Sequence, residues 1–169
     1  SNNGANIQTW SNGGVKETVF NIVPTETNAL PNGKYSIKTG LDTTKAIDIR
    51  LASQDDFANA QIWTDYKSSN QVVELRRQAD GTYAIIFTHS NKALTAESLR
   101  DGANVYQARY TGSSLQRWKL EKTGLGYTLI VAAGNEYLNV RLANSNNGAN
   151  IQTWSNGGVK ETIFVFETR

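Results

Sequence analysis

At 169 residues without a single cysteine, the chain is long enough to bury one core and must hold it without disulfides. The formal net charge of +2 comes from scattered Lys and Arg, with Arg76-Arg77 the only adjacent pair, which gives nucleic acid no basic face to grip. No window approaches the ~20 apolar residues of a membrane helix, so no membrane insertion is expected, and no signal peptide is legible.

The chain opens on a near copy of its own end. Ser1–Phe20 repeats Ser145–Phe164 at 19 of 20 positions, Val19 against Ile163 being the one difference. A match that close points to recent duplication of a larger unit. Residues 1–23 are therefore expected to be the tail of an upstream copy of the same module, cut from a longer protein. Residues 24–32, which hold both prolines of the chain, read as a linker.

From residue 33 the sequence is written three times. Asn59-Ala60-Gln61-Ile62-Trp63 returns as Asn104-Val105-Tyr106-Gln107-Ala108 and as Asn150-Ile151-Gln152-Thr153-Trp154, the leading Asn residues lying 45 and 46 residues apart. A polar loop follows each, then an apolar run: Asn70–Leu75, Leu115–Leu120 and Glu161–Phe166. Each copy is preceded by a short alternating segment (33–37, 81–85, 126–129) led by Gly and Tyr, and by a second one (46–50, 93–96, 137–141). Short period-2 runs between Gly, Asn, Ser and Asp turns predict four strands per copy and an all-β fold. Units of this size cannot each close a core, so the three must share one.

Alternation sorts the side chains. In the last strand of each copy Val73 and Leu75, Trp118 and Leu120, and Phe164 and Phe166 share a face and are expected in the core. In the third strand Gln61 and Trp63 share one face while Ile62 takes the other, which leaves Trp63 free for a partly exposed surface. With the second strand beside the third and the loop before Asn70 folded over both, Asp48, Gln61, Trp63, Asn70 and Gln71 converge. Asp65 and Tyr66 of that loop are nearby candidates. An indole offers a flat apolar face to the C–H side of a sugar ring. A carboxylate accepts from two neighbouring hydroxyls, and amides both donate and accept. The set suits recognition of a neutral sugar. Gln61 and Gln71 could equally pin loops to backbone. His89, the sole histidine, reads as a solvated turn residue, and Asp55, Asp56 and Asp101 as ordinary turn acids.

On these residues the chain resembles the ricin-type β-trefoil lectins, also classed as family 13 carbohydrate-binding modules. The resemblance spans 33–167 and is carried by Gln61-Ile62-Trp63, Gln152-Thr153-Trp154 and Gln116-Arg117-Trp118, with Ile47-Asp48-Ile49, Asn70-Gln71 and the Gly-x-Tyr openings. It implies an all-β β-trefoil over 33–169, a six-stranded barrel capped by three hairpins, with up to one shallow sugar site per repeat. Carried over, Asp48 accepts sugar hydroxyls, Trp63 is the platform, Asn70 a direct partner, and Gln61 and Gln71 the supporting amides. In the third repeat Asn139, Gln152 and Trp154 are kept and Glu161 stands where Asn70 stands, so a weaker site is expected there. The second repeat has Thr95, Tyr106, Ala108 and Leu115 at those positions, and no site is expected.

A glycosidase would need two carboxylates facing each other across a cleft, and only Asp48 is so placed. No metal cluster, nucleophile–base pair or phosphate loop appears, so no catalysis and no cofactor are expected. The implied partners are galactose-type sugars or polysaccharide, with xylan or arabinan as further candidates. Secretion as part of a multi-module enzyme or toxin is the setting the resemblance suggests. The competing class is a protein-binding or structural trefoil, because a fold does not fix its function.

Overall fold

The computed structural model describes residues 29–169, so the near copy over 1–23 and the start of the expected linker lie outside it. Its strands are β1 (Gly33–Thr39), β2 (Asp42–Ile49), β3 (Ala58–Thr64), β4 (Val73–Arg77), β5 (Tyr83–Phe87), β6 (Lys92–Ala96), β7 (Val105–Ala108), β8 (Arg117–Lys122), β9 (Tyr127–Val131), β10 (Tyr137–Val140), β11 (Ile151–Trp154) and β12 (Phe164–Thr168). Among the described residues the only helical turns are five 3-10 segments of three residues each.

The first and last strands of each repeat close a barrel. β1 pairs with β4, β4 with β5, β5 with β8, β8 with β9, β9 with β12 and β12 with β1, all antiparallel. Closing the ring leaves no barrel edge open to pairing with another chain. The middle strands form three hairpins, β2–β3, β6–β7 and β10–β11, tied to one another by β3–β7 pairing and by bridges from Gln61 to Asn150 and from Asn104 to Gln152. This is the β-trefoil, with the expected three repeats.

One core fills barrel and cap. Each repeat sets its opening tyrosine against the first core residue of a last strand: Tyr35 opposite Val73, Tyr83 opposite Trp118, Tyr127 opposite Phe164. Buried tyrosines need a partner for the hydroxyl, and Tyr35 and Tyr83 donate to the carbonyls of Pro31 (3.0 Å) and Leu30 (2.9 Å). Trp118 is completely buried and its indole N–H donates to the Leu94 carbonyl at 3.1 Å. Leu120 and Phe166, expected beside it, are only partly buried at the margin of the core.

Two expectations need correction. Gln116-Arg117-Trp118, grouped above with the other two Gln-x-Trp elements, does not share their place in the repeat. Gln61 and Gln152 lie in third strands, whereas Gln116 ends a 3-10 turn before β8, at the place Gln71 holds before β4. The last strands also begin later than the apolar runs do. Asn70 and Gln71 sit in the 3-10 turn Ser69–Gln71, closed by Gln71 N–H to Ser68 O at 2.9 Å, because the Gln71 side chain bonds back to the loop and holds the chain out of the ladder.

At the centre of the cap the three leading asparagines form a ring. Asn59 Nδ2 donates to Asn150 Oδ1 (2.8 Å), Asn150 Nδ2 to Asn104 Oδ1 (3.0 Å) and Asn104 Nδ2 to Asn59 Oδ1 (2.9 Å). An amide holds one donor and one acceptor end, so three of them satisfy each other around a threefold axis. This ring fixes how the hairpins that carry the clefts sit against one another.

Candidate functional site

The register of β2 against β3 sets Asp48 directly opposite Gln61, and Ala46 opposite Trp63. Ile47, Ile49, Ala60 and Ile62 turn inward to the core, so the alternate positions Asp48, Gln61 and Trp63 share the outer face of the hairpin. Gln61 Nε2 donates to Asp48 Oδ1 at 3.0 Å, and Asn70 Nδ2 donates to Asp48 Oδ2 at 2.8 Å and to the Ile49 carbonyl at 3.0 Å. One amide thus holds each carboxylate oxygen. Each oxygen keeps a second lone pair, so the carboxylate can still accept two hydroxyls. Asp48 is only 6% exposed, and burial pushes its carboxyl above the usual range, opposed by the amide donors.

Trp63 stands at the rim, 36% exposed. With Asp48, Gln61, Asn70, Tyr66 and Gly148 it bounds a cleft of about 790 Å³. Gln71 lies beneath, fully buried. Its Oε1 accepts from Tyr66 N–H (2.9 Å) and its Nε2 donates to the Thr64 carbonyl (2.9 Å). Its amide shapes the loop that carries Tyr66 and also helps to hold the Asp48 carboxyl down against burial. Tyr66 does line the cleft, whereas Asp65 turns away into an ion-pair cluster with Lys38 and Arg169.

The third repeat builds the same hairpin with other parts. Asn139 lies opposite Gln152, whose Nε2 donates to Asn139 Oδ1 at 3.0 Å, and Trp154 is 38% exposed at the rim. Asn139, Gln152, Trp154 and Glu161 line a smaller cleft of about 410 Å³. In the second repeat Thr95 lies opposite Tyr106. The Thr95 hydroxyl donates to the Ala93 carbonyl (2.8 Å) and accepts from Gln116 Nε2 (3.2 Å), so it is consumed internally.

Three features of the clefts escaped the sequence reading. After β2 and after β10 the chain kinks through Leu51 and Leu142, both at φ 57°, which brings Arg50 and Arg141 to the cleft walls. Its signal was the recurrence of Arg-Leu-Ala at 50–52 and 141–143, against Glu-Ser-Leu at 97–99. Each cleft is also completed by the repeat that precedes it around the threefold axis: Gly148 of the third repeat abuts the Trp63 ring of the first, and Gly102 of the second the Trp154 ring of the third. Third, the turn acid Asp101 has a task, its carboxylate accepting from Ser155 N–H at 2.6 Å. Asn147 does the same for Thr64 (2.9 Å) and Asp56 for Arg109 (2.9 Å). His89 is half-buried rather than solvated, with Nε2 bonded to the Ser53 carbonyl at 2.9 Å and Nδ1 buried without a partner. Among the described residues no group of three or more His, Cys, Asp or Glu is placed to hold a metal ion.

The sequence matches the family model "Ricin-type beta-trefoil lectin domain-like" over residues 27–108 and again over 69–154. The chain belongs to this family. Among solved structures, the ricin-type domain is similar to the designed threefold-symmetric protein ThreeFoil, with 34% identity and a TM-score of 0.76 over 79% of this chain and 97% of that one. It is similar to the exo-β-1,3-galactanase 1,3Gal43A of Clostridium thermocellum at 26% identity and a TM-score of 0.78, over 83% of this chain but only 31% of the enzyme. The C-half of the earthworm R-type lectin, solved in complex with GalNAc, shares the fold at 17% identity and a TM-score of 0.64, over 82% of this chain and all of that one. No curated protein sequence matches the chain significantly.

Proposed function

We propose that the domain is a non-catalytic carbohydrate-binding module whose principal site is the first-repeat cleft. The observation that carries this is the buried Asp48 carboxylate, held by Gln61 and Asn70 with acceptor capacity to spare, below a half-exposed Trp63. Two adjacent sugar hydroxyls dock on Asp48, and the C–H face of the ring lies on the indole. The free end of Gln61 and the remaining lone pair of Asn70 Oδ1, which already accepts from the Ser68 hydroxyl at 2.7 Å, take the flanking hydroxyls. Gln71 supports the loop. The third-repeat cleft of Asn139, Gln152 and Trp154 is a second, weaker site.

A galactose-type terminal sugar is the ligand we favour. That reading is supported by the family and by two relatives whose names carry such sugars, a galactanase and a GalNAc-bound lectin. Xylan and arabinan chains are the alternative substrates. A shallow cleft gives modest affinity, and repetition within one chain raises effective concentration. We infer a secreted, multi-module parent protein, an enzyme or a toxin, with the near copy at 1–23 belonging to an adjoining module.

The test is a titration with lactose, and in parallel with xylo- and arabino-oligosaccharides, followed by tryptophan fluorescence in the wild type and in Asp48→Ala. Saturable binding of lactose that weakens in the variant is the expected outcome. Binding indifferent to the substitution would move the principal site to Trp154. Silence towards every sugar would leave a protein-binding trefoil.

A further inference from the structure

The second repeat lacks the Asp, Gln and Trp of the first, yet it is not bare. The loop that completes each cleft comes from a neighbouring repeat and is anchored the same way in all three. The N–H of Gly148 donates to Ile62 O (2.9 Å), that of Gly102 to Thr153 O (2.9 Å), and that of Phe57 to Gln107 O (2.8 Å). The preceding residue clamps the partner strand each time, through Asn147, Asp101 and Asp56. Phe57 is thus the counterpart of the two glycines. All three positions are left-handed, at φ 86° and 78° for the glycines and 66° for Phe57.

Glycine is the residue this backbone asks for, and a bulky side chain at positive φ is a real outlier. At Gly148 and Gly102 an added Cβ would meet the ring of Trp63 or Trp154 at 3.7 or 4.0 Å. The second repeat has Ala108 where those tryptophans stand, so no indole confronts a side chain here. Phe57 sets a ring where the other two repeats have glycine. It meets Tyr106, which replaces Gln61, edge to face with centroids 5.2 Å apart. A side chain that merely filled a gap would be covered. Phe57 is 70% exposed. A strained backbone position spent on an exposed aromatic is the pattern of a ligand contact rather than of packing.

Polar groups for a ligand stand beside it. The Tyr106 hydroxyl makes no hydrogen bond to another described residue, and burial followed by the nearby Glu97 carboxylate keeps it protonated as a donor. Glu97 occupies the place of Arg50 and Arg141, one of its oxygens taken by Asn104 N–H at 3.1 Å. Ring, polar donor and carboxylate acceptor are the kinds of component the first-repeat cleft has, with a hydroxyl here in place of its amides.

We propose that the second repeat carries a third sugar site in which Phe57, supplied by the first repeat, is the stacking platform, with Tyr106 and Glu97 as its polar partners. The ligand class is a terminal neutral pyranose, and the proposal rests on the carbohydrate reading above. Titrate the full chain with lactose, following the aromatic NMR signals of Phe57, Tyr106 and the tryptophans. Repeat it in Trp63→Ala/Trp154→Ala and in that variant with Phe57→Gly added. Glycine suits the left-handed backbone, so the triple variant keeps the fold, checked by an unchanged or raised Tm. Saturable shifts at Phe57 and Tyr106 that survive the double variant, and a loss of its residual affinity of tenfold or more on Phe57→Gly, are expected. Tryptophan shifts with Phe57 and Tyr106 unmoved would overturn this site alone. No shift at any aromatic would overturn the carbohydrate reading and this site with it.

Discussion

In the first repeat the carboxylate sits on a strand, on Asp48 near the end of β2, and the amide in the covering turn, on Asn70. In the third the strand carries Asn139 and the turn carries Glu161. The same two functional groups are present, exchanged between a rigid place and a looser one. Asp48 is buried with a fixed donor on each oxygen, whereas Glu161 is half-exposed and makes no hydrogen bond to another described residue. A dehydrated, pre-oriented acceptor costs a ligand little to engage. A hydrated one must first give up its water. On the proposed carbohydrate reading, the contrast ranks the clefts by where the acid stands: a carboxylate fixed on the strand should make the stronger site.

The largest expected effect comes from removing the buried acid. Asp48→Ala takes away charge-assisted bonds to two hydroxyls, together about 3 kcal/mol, or ~100-fold in affinity at the first cleft. Calorimetry with lactose should then show only the weaker site, and an unchanged isotherm would break the ranking. Trp63→Ala and Trp154→Ala come next. Each removes one stacking face, about 1.5 kcal/mol or ~10-fold at its own cleft and nothing at the other. Affinity electrophoresis on immobilised galactoside reads the two apart, and equal losses in both variants would mean that the clefts contribute alike.

How far the residues alone reach is visible in the same comparison. The trefoil, the pairing of Asp48 with Gln61 and the rim place of Trp63 follow from a fixed period and from alternation, because a strand's side-chain period of two allows one solution once the core face is assigned. Other parts of the clefts were hidden because they depend on contacts far apart in the chain. That Gly148 backs Trp63, or that Phe57 meets Tyr106, follows from how the hairpins meet around the asparagine ring. Gln116-Arg117-Trp118 misled for the opposite reason. A three-residue motif recurs in sequence without saying which strand holds it; alternation along the chain already set Trp118 in a last strand, and its pairing with Tyr83 and Val131 bears that out.

The comparison can also be reversed by design. Asn139→Asp alone sets a second carboxylate beside Glu161 and should bring no gain, since like charges in one small cleft disfavour each other. Asn139→Asp with Glu161→Asn restores the first-repeat arrangement and should tighten the third cleft by about 1 kcal/mol, roughly fivefold. Trp154 fluorescence in a Trp63→Ala background reports it. A gain from the single substitution, with none from the pair, would show that charge alone matters and that position does not.

The smallest effect is the dependence on pH, and its sign separates binding from folding. Burial raises the Asp48 carboxyl above its unfolded value, so the folded chain binds that proton more tightly than the unfolded one does. Acidification through the raised value therefore costs no stability on account of Asp48, and even favours the folded state. It does convert the acceptor that a sugar hydroxyl needs into a neutral acid. Affinity at the first cleft should fall as the pH is lowered from neutrality into the acid range, the loss setting in at a higher pH than an exposed aspartate would need to protonate. Asp48→Asn should bind weakly and without that acid limb, because its amide does not titrate. Calorimetry across this range, with the Tm recorded at each pH, gives both readings. An acid limb that persists in Asp48→Asn, or one that tracks a falling Tm, would assign the effect to unfolding rather than to the carboxylate in the cleft.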